Sequence, residues 1–370
     1  MSKLIICIDG LGKDLISKEN TPFLYKFGKE NIFIKLETLF AFTGLEYSFF
    51  SGKNPDKIGI WLEFIYSEKS IFNNFLLGFL SFNKKIRNLI AVMMQYLQGR
   101  TWISSLHNIP NDKIRYFDSS VKEGIWKLKF FQDKSFAVYK WPFFVTKNGK
   151  EEIKVIFKYE NDEERLRRLL KKKDKEIYYT QLMGIDKALH KYGKKSEEAR
   201  RALRLLDKTI GKYVCKFLKN KNGEVFIWSD HGFADIKNYI NLEKILPKRK
   251  DYLYFIAGTT ASFWFENENV KEEVLKSIKK IKDIKVLDKK TADRYKVPLS
   301  RKYGDLIVFL EKGNYFFPNF YQKREEEKFV SMHGYPNDNE LNGIFITNSK
   351  TKKLKGNNLK IYEVRGVLNE

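Results

Sequence analysis

Residues 3–12 read KLIICIDGLG, an apolar run that ends in an aspartate and a pair of glycines. Such a run is typical of a strand that is buried on both faces of a parallel sheet. A second apolar run, EVFIW at residues 224–228, ends in the same way, since Asp230, His231 and a glycine follow closely. Ligands of an open parallel sheet bind beyond the carboxyl ends of its strands. We therefore expect Asp9, Asp230 and His231 to lie together at one edge of the sheet.

Strand and helix patterns alternate on both sides of these two runs. Residues 32–36 and 177–181 have the composition of further strands, whereas Pro22 and Ser196 each open an amphipathic helical pattern. A shorter helix is predicted from Thr43 to Phe50, with Thr43 near its N-cap. The alternation predicts an α/β fold with a mostly parallel central sheet and helices on both faces.

The pattern changes in the middle of the chain. Helical stretches rich in Phe, Leu and Lys dominate there, for example between Ile86 and Leu97, and a hairpin-like segment follows at 136–157. We predict that residues 62–176 form an inserted cap or lid, and that residues 1–61 and 177–370 form the α/β core.

Charge and cysteine content limit the class of protein. The 370 residues carry 70 Lys and Arg against 46 Asp and Glu, a formal net charge of +24, which attracts anions such as nucleic acid, acidic membranes or phosphorylated small molecules. The two cysteines, Cys7 and Cys215, indicate no disulfide framework and favour a reducing compartment. No signal-peptide pattern is present, and the longest apolar stretch, 71–82, is too short to span a bilayer. We expect a cytoplasmic protein without a transmembrane segment.

The chain has four histidines, His107, His190, His231 and His333. A lone histidine is more often structural than a ligand, so their neighbours decide the interpretation. Asp186 and His190 are four residues apart, a spacing that can converge on one ion, and His333 adds a further imidazole. Carboxylate and imidazole together suit zinc or a similar divalent metal. The alternative is a collection of strand-end caps and surface loops.

Six segments resemble, in the correct order, the motif series of the alkaline-phosphatase superfamily. The closest branch is the type I phosphodiesterase/nucleotide pyrophosphatase family. The resemblance extends from Asp9 to Tyr335, and the middle of the chain is poorly matched. The segments are IICIDGLG at 5–12, a threonine-centred stretch, SGKNPDKIGIW at 51–61, GIDKALHKYGKKSEEA at 184–199, WSDHGF at 228–233 and MHGY at 332–335.

This resemblance implies a two-metal hydrolase in which Thr43 attacks phosphorus and forms a phosphothreonine intermediate. Two divalent ions are implied, with zinc as the expected metal, and the substrate would be a nucleotide-like phosphodiester or pyrophosphate. Substrate-binding residues are left unassigned. The implied ligands are Asp9, Thr43, Asp230 and His231 for one ion, and Asp186, His190 and His333 for the other.

The chain departs from the family pattern in three places. Members usually carry the nucleophile ten residues before the glycine that corresponds to Gly52, where this chain has Phe42, and Thr43 follows one residue later. Either the loop is shorter by one residue or the site is altered. Ile58 replaces a histidine that is not a metal ligand in the family, and Leu189 replaces a glycine before the motif histidine.

Other segments resemble the family in its framework. Residues 255–265 correspond to an edge strand before a small α+β subdomain. Asp305 reads as a turn carboxylate rather than a residue behind the metal ligands, and Asp207 as part of a solvated helix face. Asn319 and Tyr335 are expected near the mouth of the site, where they would touch substrate.

Competing hypotheses remain open at this stage. A phosphomonoesterase or phosphomutase shares the scaffold, and so does a sulfatase, although Thr43 argues against a sulfatase because those enzymes use Cys or Ser. A different class is a non-catalytic protein that binds nucleic acid or a membrane surface. Its support is the net charge of +24 and the basic run at 165–173. Nucleic acid is therefore a possible partner but not a required one.

Overall fold

Most of the chain is described by a computed structural model. Phe42, His107 and part of the predicted helix between Ile86 and Leu97 lie outside the described residues. The described residues are 1–40, 43–80, 83, 85–87, 89–90, 93, 109–110, 112–156, 158–221, 223–336, 341–351, 354 and 356–370.

Strands occur along the whole described chain. They are β1 (Lys3–Ile8), β2 (Ile32–Glu37), β3 (Phe64–Tyr66), β4 (Phe117–Ser119), β5 (Phe136–Lys140), β6 (Phe143–Asn148), β7 (Lys150–Val155), β8 (Ile177–Leu182), β9 (Glu224–Trp228), β10 (Ala234–Asp235), β11 (Asn238–Ile240), β12 (Tyr252–Ile256), β13 (Thr260–Phe265), β14 (Ile284–Val286), β15 (Leu306–Leu310), β16 (Asn314–Phe316), β17 (Ser331–Met332), β18 (Gly343–Thr347) and β19 (Asn358–Lys360).

Helices alternate with these strands. The α-helices are α1 (Pro22–Glu30), α2 (Leu45–Ser51), α3 (Pro55–Ile58), α4 (Phe75–Leu80), α5 (Lys129–Gln132), α6 (Asp162–Leu170), α7 (Gly184–Tyr192), α8 (Glu197–Asn220), α9 (Glu268–Ile278), α10 (Lys289–Tyr295) and α11 (Val364–Leu368). Short 3-10 helices are Lys13–Leu15, Ile71–Asn73, Ile114–Tyr116, Ile125–Lys127, Leu242–Lys244, Glu325–Glu327 and Ile361–Glu363.

A nine-stranded sheet forms the centre of the molecule, in the order β19-β2-β18-β9-β1-β8-β5-β6-β7. Its middle strands β9, β1, β8 and β5 are mutually parallel, and antiparallel strands flank them on both sides. The predicted α/β fold with a mostly parallel central sheet is confirmed. The carboxyl ends of the parallel strands consequently meet at one edge.

The central strand β1 explains why its sequence is apolar throughout. Ile5 and Cys7 join one hydrophobic core, which includes α2 and α11, while Leu4, Ile6 and Ile8 join a second core with α1, α7 and α8. Both faces of the sheet are thus covered by helices, as predicted, and alternate side chains of β1 are buried on opposite faces.

Part of the region predicted as an inserted cap belongs to the central sheet. Strand β5 pairs with β8 in parallel, and β6 and β7 continue the sheet outward from it. The predicted hairpin is therefore a three-stranded extension of the central sheet. A separate antiparallel sheet, β12-β13-β15-β14, packs with α9 around a third hydrophobic core.

Asp207 is a buried capping residue, so the prediction that it lies on a solvated helix face is wrong. It is 2% exposed on α8, and its carboxylate accepts hydrogen bonds from the backbone N–H groups of Phe23 at 2.9 Å and Leu24 at 2.8 Å. Thr21, the N-cap residue of α1, makes no side-chain cap bond. A residue nearly two hundred positions away thus satisfies the first turn of α1.

Asp207→Ala should lower the free energy of unfolding by about 1–3 kcal/mol, because the buried N–H of Leu24 and the partly buried N–H of Phe23 lose their acceptor. Urea denaturation would measure the change. Lys208→Ala is the matched control, since Lys208 is exposed on the same helix, and it should change stability by no more than about 0.5 kcal/mol. Equal stability of the two variants would contradict the capping role of Asp207.

Candidate active site

Acidic and imidazole side chains converge where the parallel strands end. Asp9 follows β1 directly, while Asp230 and His231 follow β9 after one serine. Ligand atoms of these three residues lie within 4.8 Å of one another, as do those of Asp186 and its partners His190 and His333. The expected convergence at one edge of the sheet is confirmed for both sets, named here the first group (Asp9, Asp230, His231) and the second group (Asp186, His190, His333).

In the first group, backbone contacts fix both Asp230 and His231. Asp230 Oδ1 accepts hydrogen bonds from the N–H groups of Gly10 at 3.2 Å and His231 at 3.1 Å. His231 Nδ1 lies 3.1 Å from the carbonyl oxygen of Gly232, and because a carbonyl only accepts, Nδ1 is the donor. The other ring atom, Nε2, lies 3.2 Å from Asp9 Oδ1 and 3.7 Å from Asp230 Oδ1.

The charges of the first group are strongly coupled. Burial and the charge of Asp9 raise the pKa of Asp230 to about 7. Burial disfavours the charged form of His231, but the charge of Asp230 and the hydrogen bond to Asp9 outweigh it and raise the pKa of His231 to about 9. Burial also opposes ionisation of Asp9, yet the hydrogen bond and charge of His231 lower its pKa. A metal ion that binds here must displace a proton.

In the second group, helix α7 supplies two of the three residues. Asp186 and His190 are one helical turn apart, with Asp186 Oδ1 3.4 Å from His190 Nε2 and 3.9 Å from His333 Nε2. His190 Nδ1 donates to the carbonyl oxygen of Ser331 at 3.0 Å, which turns Nε2 toward the carboxylate. Asp186 Oδ1 is buried and accepts no hydrogen bond from the described residues.

Burial determines the protonation of this second group. It raises the pKa of Asp186 well above its ordinary value, and the charge of Asp9 adds to the effect. It lowers the pKa of His190 to about 4 and that of His333 well below its ordinary value. Neutral imidazole nitrogens therefore face a buried carboxylate oxygen to which none of the described residues donates a hydrogen bond. A divalent cation satisfies all three atoms, so these residues fit a metal ion.

The two groups are in direct contact. The imidazole rings of His231 and His333 stack with centroids 3.6 Å apart and an angle of 9° between their planes. Phe233 packs edge-on against both rings and against His190. One apolar side chain thus packs against the imidazoles of both groups.

Thr43 lines the cavity into which both groups open. This cavity has a volume of about 480 Å³ and is lined by members of both groups. Helix α2 begins at Leu45, two residues later than predicted, because Gly44 is its N-cap in a left-handed conformation with φ of 83°. A Cβ atom on Gly44 would lie 2.6 Å from Ile60 Cγ2, so only glycine fits beside Thr43.

The type I phosphodiesterase/nucleotide pyrophosphatase family model matches residues 3–336. The chain belongs to this family. It is accordingly a hydrolase of phosphoric ester or phosphoanhydride bonds, and the predicted family and enzyme class are confirmed. No curated protein is significantly similar to the chain in sequence.

Solved structures from this family share the fold. Human ectonucleotide pyrophosphatase/phosphodiesterase 5 superposes with a TM-score of 0.71 at 16% identity, covering 100% of this chain and 94% of that chain. The murine protein, in an inactive form with one threonine replaced by alanine and in complex with AMP, gives a TM-score of 0.68 at 15% identity with the same coverage. At this identity the likeness shows the fold alone.

A second cavity of about 730 Å³ adjoins the second group and is lined by all three of its residues. It shares Glu63, Asp186, Lys187 and His333 with the first cavity. The second group therefore borders both cavities.

Some residues that line the first cavity were not predicted from the sequence. Glu46 lies in the first turn of α2, Lys140 ends β5, and Gln181 lies in β8 one residue before its end. Only Gln181 was accessible to prediction, since a polar residue near the end of a buried parallel strand faces the ligand edge. The roles of Glu46 and Lys140 depend on pairing between distant segments.

Asn319 and Tyr335 have structural roles. Asn319 is 2% exposed and bonds the backbone of Phe316 and Tyr321, and the Tyr335 hydroxyl donates to the carbonyl oxygen of Asn314 at 2.9 Å. Both side chains are committed to the core, which corrects the expectation that they touch substrate. Asp305 accepts from the N–H of Phe265 at 3.1 Å, as expected of a turn carboxylate.

The two cysteines lie in different environments. Cys7 is buried in β1, and Cys215 is exposed on α8. Within the described part of the chain, no helix combines the length and apolarity needed to cross a membrane.

Proposed function

We propose that this hydrolase is a metal-dependent phosphodiesterase or nucleotide pyrophosphatase that uses Thr43 as its nucleophile. The observation that carries the proposal is the contact between two buried carboxylate–imidazole groups at a cavity that Thr43 also lines. A threonine hydroxyl is a weak nucleophile by itself. Metal ions held by the carboxylate–imidazole groups would activate it by favouring its ionised form.

Two divalent ions, with zinc as the expected metal, would be held by the two groups. When bound, they would supply positive charge that favours the ionised hydroxyl and stabilises the phosphoryl oxygens. The ligands would be Asp9, Asp230, His231 and Thr43 for one ion, and Asp186, His190 and His333 for the other.

The reaction would proceed in two displacements at phosphorus. The Thr43 oxygen bonds to phosphorus, the bond to the leaving group breaks with the electron pair on that group, and the hydroxyl proton passes through solvent to the leaving group. Water then attacks the phosphothreonine, the bond from phosphorus to Thr43 breaks with its electron pair on the threonine oxygen, and that oxygen takes up the proton that the attacking water loses. Splitting one difficult displacement into two is the gain of covalent catalysis.

A nucleotide-like substrate is supported by size, lining and kinship. The first cavity, at about 480 Å³, falls in the range of small-ligand sites, and Tyr47, Trp141 and Tyr159 line it. The murine relative was solved with AMP in a form inactivated by replacing a threonine with alanine. We propose that this chain binds a nucleotide in the first cavity and uses Thr43 in the corresponding way.

The second cavity favours a diester or pyrophosphate over a monoester. Such substrates carry groups on both sides of phosphorus, and the second cavity, which borders the second group as the first cavity does, gives room for the second substituent. A phosphomonoesterase or phosphomutase stays the alternative on the same scaffold. A non-catalytic protein that binds nucleic acid or a membrane surface would have no need for the buried residues of the first and second groups.

Metal-replete protein should cleave a nucleoside diphosphate sugar or a phosphodiester at least about tenfold more efficiently than the matching phosphomonoester. About 1.4 kcal/mol of binding energy, made in the transition state with the second substituent, suffices for that ratio. Values of kcat/KM for the three substrate types at equal metal concentration test it. A preference for the monoester would favour the alternative.

A further inference from the structure

Lys140 is a partly buried cation beside the first group, and its ammonium has two acceptors. It donates to the carboxylate of Glu46 and to the side-chain oxygen of Gln181. The Lys140 side chain is 22% exposed and that of Glu46 is 10% exposed, so the pair is largely shielded from solvent. The Tyr179 hydroxyl donates to the other oxygen of Glu46, which holds that carboxylate in place.

The amide of Gln181 links the Lys140–Glu46 pair to Asp9 and orients the Asp9 carboxylate. Because the amide oxygen is engaged by Lys140, the NH₂ group must point the other way, and it donates to Asp9 Oδ2 at 2.7 Å. The remaining oxygen, Asp9 Oδ1, lies 3.2 Å from His231 Nε2. Lys140 thus determines that the NH₂ group of Gln181, and not its oxygen, faces Asp9. This contact in turn leaves Asp9 Oδ1 as the oxygen that faces His231.

We propose that Lys140 is a positioning residue that sets the Asp9 carboxylate for metal binding, acting through the Gln181 amide. Without Lys140 the amide is free to rotate and present its oxygen to Asp9, where two acceptors repel. The inference rests on the proposed function, since it assigns a role toward the metal of the first group. The contacts run from Glu46 in α2 through Lys140 in β5 and Gln181 in β8 to Asp9 after β1, and we call this chain of contacts the relay.

The sign of the effect separates positioning from electrostatics. A lysine near a cation site weakens cation binding through charge repulsion, so removing a lysine should strengthen it if charge alone matters. Loss of positioning acts in the opposite direction, and losing a residue behind a metal ligand typically costs about 10- to 100-fold in affinity. A fall in affinity after Lys140 is neutralised therefore reports positioning.

The test measures zinc affinity of metal-free protein by competition with a chromophoric chelator. Lys140→Met should weaken one of two sites by about 10- to 100-fold and leave the other within about threefold. Lys187→Met is the matched control for charge, since Lys187 lines the same cavity but its ammonium lies over the Tyr159 ring, 3.6 Å from the ring centroid, rather than on the Gln181 amide. That variant should bind zinc as tightly as wild type or more tightly, and Lys140→Arg should recover part of the lost affinity.

Two further variants keep the test decisive if Lys140→Met unfolds. Lys140→Met combined with Glu46→Gln leaves no unpaired buried charge, and Gln181→Leu removes the amide but keeps the Lys140–Glu46 pair. Both should weaken the same site. Wild-type affinity in these variants overturns the relay while the metal centre stands. Wild-type protein that binds no zinc overturns the proposed function and the relay together.

Discussion

Thr43→Ala should lower kcat by about four orders of magnitude or more while the protein stays folded. Removal of a covalent nucleophile costs most of the catalytic rate because the remaining groups have no atom to attack phosphorus. The fold should be spared, since Thr43 precedes the N-cap Gly44 and α2 has no side-chain cap bond. Thr43→Ser should keep part of the activity because a primary hydroxyl still attacks. Steady-state turnover and far-UV circular dichroism measure the two effects.

A matched control and a covalent trap sharpen this prediction. Ser51→Ala, at the other end of α2, removes a hydroxyl from a partly exposed position and should leave kcat within about twofold. Rapid quenching followed by peptide mass spectrometry should place a phosphoryl group on Thr43. Near-normal turnover of Thr43→Ala, or a phosphoryl group on another residue, would reject Thr43 and leave the two-metal site intact.

Removal of metal should abolish hydrolysis and destabilise the protein. Chelated protein should lose at least about a thousandfold in turnover, because the ions supply several kcal/mol of charge stabilisation in the transition state. Zinc at a thousand times its dissociation constant should raise the free energy of unfolding by about 4 kcal/mol. Activity and thermal unfolding, each measured before and after zinc is returned, test both statements.

Substitution of a proposed metal ligand should weaken zinc binding without a chelator. Asp230→Asn should weaken zinc binding at the first group. Asp305→Asn is a matched control because Asp305 lies just before β15 in the separate antiparallel sheet. Full activity in protein shown to be free of metal would reject metal dependence. Equal zinc binding by both variants would reject the ligand role of Asp230.

The candidate site residues that could be predicted from the sequence are those at strand ends and those in the family motifs. Asp9, Asp230 and His231 each follow a continuous apolar strand, and parallel strands place their ends at one edge whatever the loops do. Asp186 and His190 are joined by helical spacing, which is a local property. These residues were found because sequence neighbours determine their positions.

The features that escaped prediction depend on contacts between distant segments. Asp207 caps a helix that begins at residue 22, so its helical periodicity alone suggested a solvated face. Strands β5, β6 and β7 join the central sheet through β8, and no local pattern distinguishes them from a hairpin in a lid. Lys140 and Glu46 meet across 94 positions, and such pairings are set by the tertiary fold.

Anomalous diffraction from crystals grown with zinc, measured at the zinc absorption edge, tests the two-metal centre most directly. We expect two peaks per molecule, one between Asp9, Asp230 and His231 and the other between Asp186, His190 and His333. No peak at these two groups, or zinc bound only elsewhere on the protein, would contradict the proposed mechanism.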